Sequence, residues 1–308
     1  MRTRSERSVI AGDGTRLYAR ETRGPEASGV PIICNNGIGV ATNFWHYVEE
    51  QFSPTRPVIA WDYRGHGESE YPRDLDDLTM ESMADDMARV LDVFGHERAI
   101  VLGHSMGCQV VYEFANRHPE RAAMLVPMLG TTGRPVHTFL NMELTSLAGF
   151  FIGHALATRI PHFLADGQRK LIGSRRVRPL LRRLARLSRL VHPERMQDYD
   201  LNRYLDHFAG FSPLVFFRMA ERMASHDAAP YLDRIKAPTL VVAGEWDLFT
   251  PIYKSEEAAR LLPNAELLVL AEGSHAALVE QPEVIREAMQ DMIEAQGVDQ
   301  APGAVQAA

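Results

Sequence analysis

Cysteine is nearly absent: 308 residues hold two, Cys34 and Cys108. Two thiols in so long a chain cannot make a disulfide framework, and both sit among apolar neighbours, so they read as buried small hydrophobes. Long apolar runs are missing too, and no stretch reaches the length needed to span a bilayer. Met1 to Ser8 is charged and leads into no apolar core, so no signal peptide is expected and the cytoplasm is the expected compartment. The chain has no internal repeat and no cluster of His, Cys, Asp or Glu at metal-ligand spacing, so no metal site is expected. A basic surplus is also lacking. The formal net charge is −7, which argues against nucleic acid as a partner.

What is present is enough apolar material, 45%, for one large core or two modest ones. The charge is unevenly spread. Residues 131–235 carry 16 Lys/Arg against 9 Asp/Glu, a balance of +7, while the remainder has 17 against 31, or −14. A segment of opposite sign to its surroundings reads as a separate structural layer.

Short apolar runs alternate with helical patterns along most of the chain. Val9-Ile10, Asp13-Gly14 and Leu17-Tyr18-Ala19 read as an N-terminal hairpin. Strands are expected at Val30–Cys34, Pro57–Trp61, 99–102, Ala123–Val126, Leu240–Ala243 and Leu267–Leu270. Helices are expected at Asn43–Phe52, Met80–Phe94, 105–117, Lys254–Leu262 and Pro282–Ala295. Thr79 is placed to cap the Met80–Phe94 helix and Gly95 to end it. Such alternation implies a parallel sheet covered by helices on both faces. It stops between 131 and 235, where the pattern is helical and rich in Phe, Leu and Arg. Residues 297–308 are poor in large apolar groups and read as a disordered tail.

Gly103-His104-Ser105-Met106-Gly107 stands where a strand hands over to a helix. A serine between two glycines at that junction fits a nucleophile elbow, a turn too tight for side chains at its flanks. A serine hydroxyl needs a base to become nucleophilic, and the base needs an orienting acid. His275, in the Gly273-Ser274-His275 loop before the last helix, is the candidate base. Asp247, in the loop after Leu240–Ala243, is preferred to Glu245 as the acid, and it completes the order Ser, Asp, His. Two backbone N–H groups should face the developing oxyanion, one from Met106 and one from the Asn36-Gly37-Ile38-Gly39 loop, assigned to Ile38. Nucleophile, base and oxyanion donors are then all supplied by protein, so no cofactor is expected.

With these motifs the chain resembles the α/β-hydrolase superfamily, in its serine carboxylesterase and monoacylglycerol-lipase-like branch. The resemblance extends to Asp62-Tyr63-Arg64-Gly65-His66-Gly67-Glu68-Ser69, similar to the family's Asp-x-Arg-Gly-x-Gly-x-Ser turn, and to Gly244-x-x-Asp247-x-x-x-Pro251. It implies a mostly parallel eight-stranded sheet flanked by helices, with a helical cap inserted after strand 6. The core would then be residues 1–130 and 236–296, and the cap 131–235. It also implies that Asp62 to Ser69 is structural, so His66 is not the base. Many relatives have His-Gly where this chain has Asn36-Gly37, and close relatives have a small residue where it has Cys108.

The cap segment holds eight of the thirteen phenylalanines, which suits an apolar acyl pocket; Phe139, Phe211 and Phe216 are the expected substrate contacts. Arg169 to Arg189 contains nine Lys/Arg and no acid, with Pro179 as a helix start and a stripe of Leu180, Leu181, Leu184, Leu187 and Val191. The favoured expectation is a cap helix packed by that stripe on the acidic core; membrane-surface contact through residues 169–191 is the other reading. Ser105 excludes relatives that use an aspartate nucleophile. Hydrolysis of a small-molecule ester with a small or medium-chain apolar acyl group is the expected activity. The alternatives are a carbon–carbon bond hydrolase, a cofactor-free haloperoxidase-like enzyme, or a non-catalytic binding protein on the same scaffold. Ala276 after His275 counts against the first, since such hydrolases often carry an aromatic residue there.

Overall fold

The computed structural model describes residues 2–133 and 152–300. Eight strands form one sheet: β1 (Thr3–Ile10), β2 (Arg16–Arg23), β3 (Ile32–Asn35), β4 (Val58–Trp61), β5 (Ala99–His104), β6 (Ala122–Met128), β7 (Thr239–Gly244) and β8 (Ala265–Leu270). Their order across the sheet is β1-β2-β4-β3-β5-β6-β7-β8, with β2 antiparallel to both neighbours and every pairing from β4 to β8 parallel. The inner strands β3 to β7 are apolar and buried because both faces are covered. Ile33 and Val101 point to one face, Ile32, Ile100 and Leu102 to the other, the period of two that a buried strand imposes.

The helices α1 (His46–Phe52), α2 (Met80–Phe94) and α3 (Met106–Arg117) precede β6. α2 shows why these segments fold as they do. Met83, Met87, Val90 and Leu91 recur at helical spacing and are buried, Thr79 accepts from the Ser82 N–H, and Gly95 closes the helix at φ 77°. Each such apolar side chain stabilises the fold by about 1.5–3 kcal/mol. α1 is shorter than its sequence pattern, since Thr42–Trp45 forms a 3-10 turn ahead of it. β1 runs from Thr3 rather than Val9. It is an edge strand with charged residues on both faces, so no apolar alternation announces it.

The described part of the segment between β6 and β7 is mostly helical: 152–159, α4 (Pro161–Ile172), α5 (Arg178–Leu187), α6 (Asp198–Gly210) and α7 (Pro213–Ser225). α7 buries Val215, Met219 and Ala220, whereas α4 and α5 bury no residue. The expectation for the leucine stripe therefore fails. Leu180, Leu184 and Leu187 face outward, and the arginines pair within the segment, Arg182 and Arg186 with Asp198 and Arg178 with Asp206. The acidic core is not their partner. After β7 come α8 (Ile252–Leu261), α9 (Ala277–Glu280) and α10 (Pro282–Ala295). Among the described residues no helix is long and apolar enough to cross a membrane.

Residues 297–300 also depart from the expected disordered tail. Val298 is buried, Asp299 forms a two-pronged pair with Arg56, both bonds 3.0 Å, and Arg98 donates to the Val298 and Gln300 carbonyls at 2.9 and 2.7 Å, so a short turn is fastened by an apolar anchor and two arginines. Residues 301–308 lie outside the described residues.

The Asp62–Ser69 turn after β4 is held from below by Arg64, which is buried and bonded to Asp86 and Asp77, with Asp13 3.6 Å away. Removing that cation leaves the buried Asp86 carboxylate without its main partner. Arg64→Ala should therefore lower stability by about 3–5 kcal/mol, and the double change with Asp86→Ala should recover part of the loss. Equal denaturation midpoints for Arg64→Ala and the parent would refute this role.

Candidate active site

Ser105 ends β5 and precedes α3 at φ 56° and ψ −118°, a conformation that L residues rarely adopt. The flanking glycines are steric necessities. A Cβ on Gly103 would collide with the Gly107 carbonyl, and one on Gly107 with the Asn35 carbonyl. Cys108 packs in the same crowded corner, its Sγ within 3.4 Å of the Gly103 carbonyl and 3.3 Å of the Met128 carbonyl.

His275 comes from the loop after β8, and Asp247 from the loop after β7. The two loops are joined by a bond from the Trp246 N–H to the Gly273 carbonyl, 2.9 Å. Ser105 Oγ lies 3.0 Å from His275 Nε2, and His275 Nδ1 lies 2.8 Å from Asp247 Oδ2. The carboxylate accepts at Nδ1–H, which leaves the Nε2 lone pair free to take a proton from the serine hydroxyl. Asp247 is buried. Burial pushes its carboxyl pKa up, but the facing imidazole and the bonds from Thr250 outweigh that and hold it below the ordinary carboxylate value. Its Oδ1 accepts from the Phe249 and Thr250 N–H groups at 2.8 and 2.9 Å, and the Thr250 hydroxyl donates to Oδ2 at 2.6 Å. Glu245, the other acid of that loop, accepts from the Glu272 N–H instead.

Met106 is the first residue of α3, so its N–H has no partner within the helix and sits at the positive end of the helix dipole. Gly37 passes so close that a Cβ there would stand 3.1 Å from Ser105 Cβ, and Ile38 follows it along the cavity floor. That loop is tied down residue by residue. Asn36 accepts from the Trp45 indole at 2.6 Å and donates to the Trp61 carbonyl at 2.9 Å, so the asparagine found where relatives have histidine anchors the loop. His66 Nε2 accepts from the Gly39 N–H at 3.0 Å, while its Nδ1 faces the Arg64 carbonyl. His104 is the counterpart on the base side, Nε2–H donating to the His275 carbonyl at 2.8 Å. Sequence reasoning missed both contacts. The available signal was a histidine closing an otherwise apolar strand, and another inside a structural turn.

Above Ser105 opens a cavity of about 870 Å³. Its walls are predominantly apolar, from Leu181, Val191, Leu201, Leu205, Phe208, Phe216 and Phe217 among others. Of the expected substrate contacts, Phe216 borders the cavity and Phe211 does not. Phe211 is buried beneath the cavity against His66 and Phe208, and Phe208 and Phe217 line the space in its stead. Phe139 lies outside the described residues. Away from the cavity, Glu81, Glu113 and His226 bring ligand atoms within 4.8 Å of one another. They come from distant parts of the chain, so no spacing in the sequence announces them. Glu113 is already held there by Tyr231 at 2.6 Å and His226 at 3.2 Å.

Comparison with known proteins agrees with this layout. The family model for the alpha/beta hydrolase fold matches residues 30–282. A putative carbamate hydrolase RutD of Azorhizobium caulinodans is 29% identical over 264 residues, covering 84% of this chain and 89% of that protein. Among solved structures, the enol-lactonase of Burkholderia xenovorans superposes with a TM-score of 0.75 at 22% identity, covering 94% of this chain and all (100%) of that one. A thermophilic esterase of Thermogutta terrifontis gives 0.71 at 22% identity, with 96% and 100% covered. At such identities the two structures speak for the fold.

The buried imidazoles predict a pH dependence. Burial drives His66 and His104 each from 6.5 down to about 3, and His207, beside His66, down to about 4. Above pH 6.5 these rings are neutral folded or unfolded and contribute nothing. Below it the unfolded chain takes up protons that the folded one refuses, so each ring costs about 1.4 kcal/mol per pH unit until its folded pKa is reached. Unfolding free energy should fall from pH 6.5 toward 4, and His66→Gln should flatten that slope by about one proton. An unchanged slope in denaturant titrations across this range would contradict the assignment.

Proposed function

The chain belongs to the alpha/beta hydrolase family, and within it we propose that it is a serine carboxylic-ester hydrolase for esters with apolar acyl groups. The observation that carries this reading is the unbroken Ser105–His275–Asp247 chain of hydrogen bonds, at 3.0 and 2.8 Å, opening into an apolar cavity. Ser105 Oγ attacks the ester carbonyl carbon as its proton passes to His275 Nε2. The Met106 and Ile38 N–H groups receive the oxyanion. The C–O bond to the alcohol then breaks, and the imidazolium returns its proton to the departing oxygen. Water repeats the sequence on the acyl-enzyme and frees the acid and Ser105. Asp247 keeps its charge throughout and steadies the imidazolium.

The cavity lining supports this substrate class. The 29% identical relative is named a putative carbamate hydrolase, and a carbamate without a large apolar substituent would leave most of these walls unmatched. An acyl chain fills them, each buried methylene adding up to about 0.8 kcal/mol. On 4-nitrophenyl esters, kcat/KM should rise by up to about fourfold per methylene from acetyl toward octanoyl. A flat or falling series, or faster turnover of small carbamates, would overturn the ester reading.

Ser105→Ala and His275→Ala should each lower kcat by about four orders of magnitude or more with the fold intact, because such groups act as a unit. Asp247→Asn should cost nearly as much and Glu245→Gln little. Equal turnover by Ser105→Ala and the parent would mark a binding protein on a hydrolase scaffold. The reverse ranking of Asp247 and Glu245 would reassign the acid.

A further inference from the structure

Three faces of α5 do three different things. Arg182 and Arg186 turn to α6 and meet Asp198 at 3.2 and 2.7 Å. Leu181 and Ala185 line the cavity. The third face carries Leu180, Leu184 and Leu187 at i, i+4 and i+7, exposed to 56, 51 and 70%. Leu184 also lines the cavity, so the apolar surface continues from the outside of the helix into the space above Ser105. On α4, Phe163 is exposed to 74% and Leu171 to 57%.

Around this apolar face stand cations that no acid among the described residues neutralises. Arg175, Arg176 and Arg183 are exposed and make no ion pair among the described residues, in contrast to Arg178, Arg182 and Arg186. An apolar strip edged by unpaired arginines matches a layer of anionic headgroups above hydrocarbon. It matches a second copy of itself poorly, since a two-fold contact would set the same arginines against one another. We propose that this face of α5 docks on an anionic phospholipid surface, with Leu180 and Leu187 entering the acyl boundary and Arg175, Arg176 and Arg183 at the headgroups. The mouth at Leu184 then faces the lipid. The docking goes beyond the hydrolase reading and does not require it.

Vesicle flotation tests this. The wild-type chain should float with phosphatidylglycerol/phosphatidylcholine vesicles, fail to float with phosphatidylcholine alone, and be released by salt. Arg175→Gln/Arg176→Gln/Arg183→Gln should weaken partitioning by about a hundredfold, from roughly fivefold per cation. Leu180→Ser/Leu187→Ser should weaken it by about tenfold or more. Both variants should turn over soluble 4-nitrophenyl butyrate as the wild type does, which reports that fold and site are intact. Ser105→Ala should float like wild type, so failure of the ester reading leaves this result standing. No flotation by the wild type, or flotation by either variant equal to that of the wild type, would overturn the proposal. So would a dimer in sedimentation velocity that Leu180→Ser/Leu187→Ser dissolves, which would make a second copy the occupant.

Discussion

Ser105 cannot sit at φ 56° and ψ −118° unless the structure around it allows nothing else, for such a backbone costs on the order of 1–3 kcal/mol. The restraint comes from both sides of the turn. Before it, β5 lies between β3 and β6, its six residues all buried. After it, Cys108 N–H closes onto the Ser105 carbonyl at 3.0 Å, while Ser105 N–H is taken by Met128 of the neighbouring strand, also at 3.0 Å. Gly103, Gly107 and Gly130 let the strand, helix and following loop approach until any Cβ would overlap. The strain thereby becomes a positioning device. It lifts the hydroxyl off the sheet and sets the start of α3, with its free N–H groups, directly beneath the place where charge would develop.

The loops around the serine depend on histidines that do no proton transfer. His66 is useful because a neutral imidazole offers an acceptor and a donor on one rigid ring, and this one accepts from Gly39 while facing the Arg64 carbonyl. Protonating it would turn the acceptor into a donor and expel the Gly39 N–H. Burial, by pushing its pKa down to about 3, keeps the loop intact. Asp62 works on the same loop from the other end, accepting from Thr42 N–H at 2.7 Å and Glu68 N–H at 3.1 Å. The Asp62–Ser69 turn and the Asn36–Thr42 loop are thus one construction, and its free edge is the backbone of Gly37 and Ile38.

Much of this was legible. Parallel strands buried on both faces announce themselves as apolar runs, and a serine between glycines at a strand end has few other meanings. Asp247 and His275 follow from chain order and from loops at strand ends. What stayed hidden was set by three-dimensional neighbours. Phe211 and Phe208 lie three apart on one helix end, and only the packing of His66 decides which ring is buried and which borders the cavity. Residues 297–300 hold one apolar side chain, and two distant arginines fix them, Arg56 through Asp299 and Arg98 through the Val298 and Gln300 carbonyls. The leucine stripe of α5 was visible, but a stripe says that a face is apolar, not what covers it.

The +7 balance of residues 131–235 shows how far charge counting reaches. Opposite signs in two segments invite the inference that the segments attract, yet the closest pairs on α5 are internal, to Asp198 and Asp206. Attachment to the core runs through other residues, among them Arg195 to Glu272, Arg222 to Asp76, Asp200 to His46, His226 to Glu113, and Arg189 4.4 Å over the Trp246 ring. The apolar anchoring is uneven, deep on α7 and slight on α4 and α5, neither of which buries a residue fully. Displacing an element costs least where it buries least. The wall over Ser105 is therefore firm where Phe216 and Phe217 stand and weakest where Leu181 and Leu184 stand. A bulky apolar ligand would meet the least resistance at α5, the same helix whose outer face is already apolar.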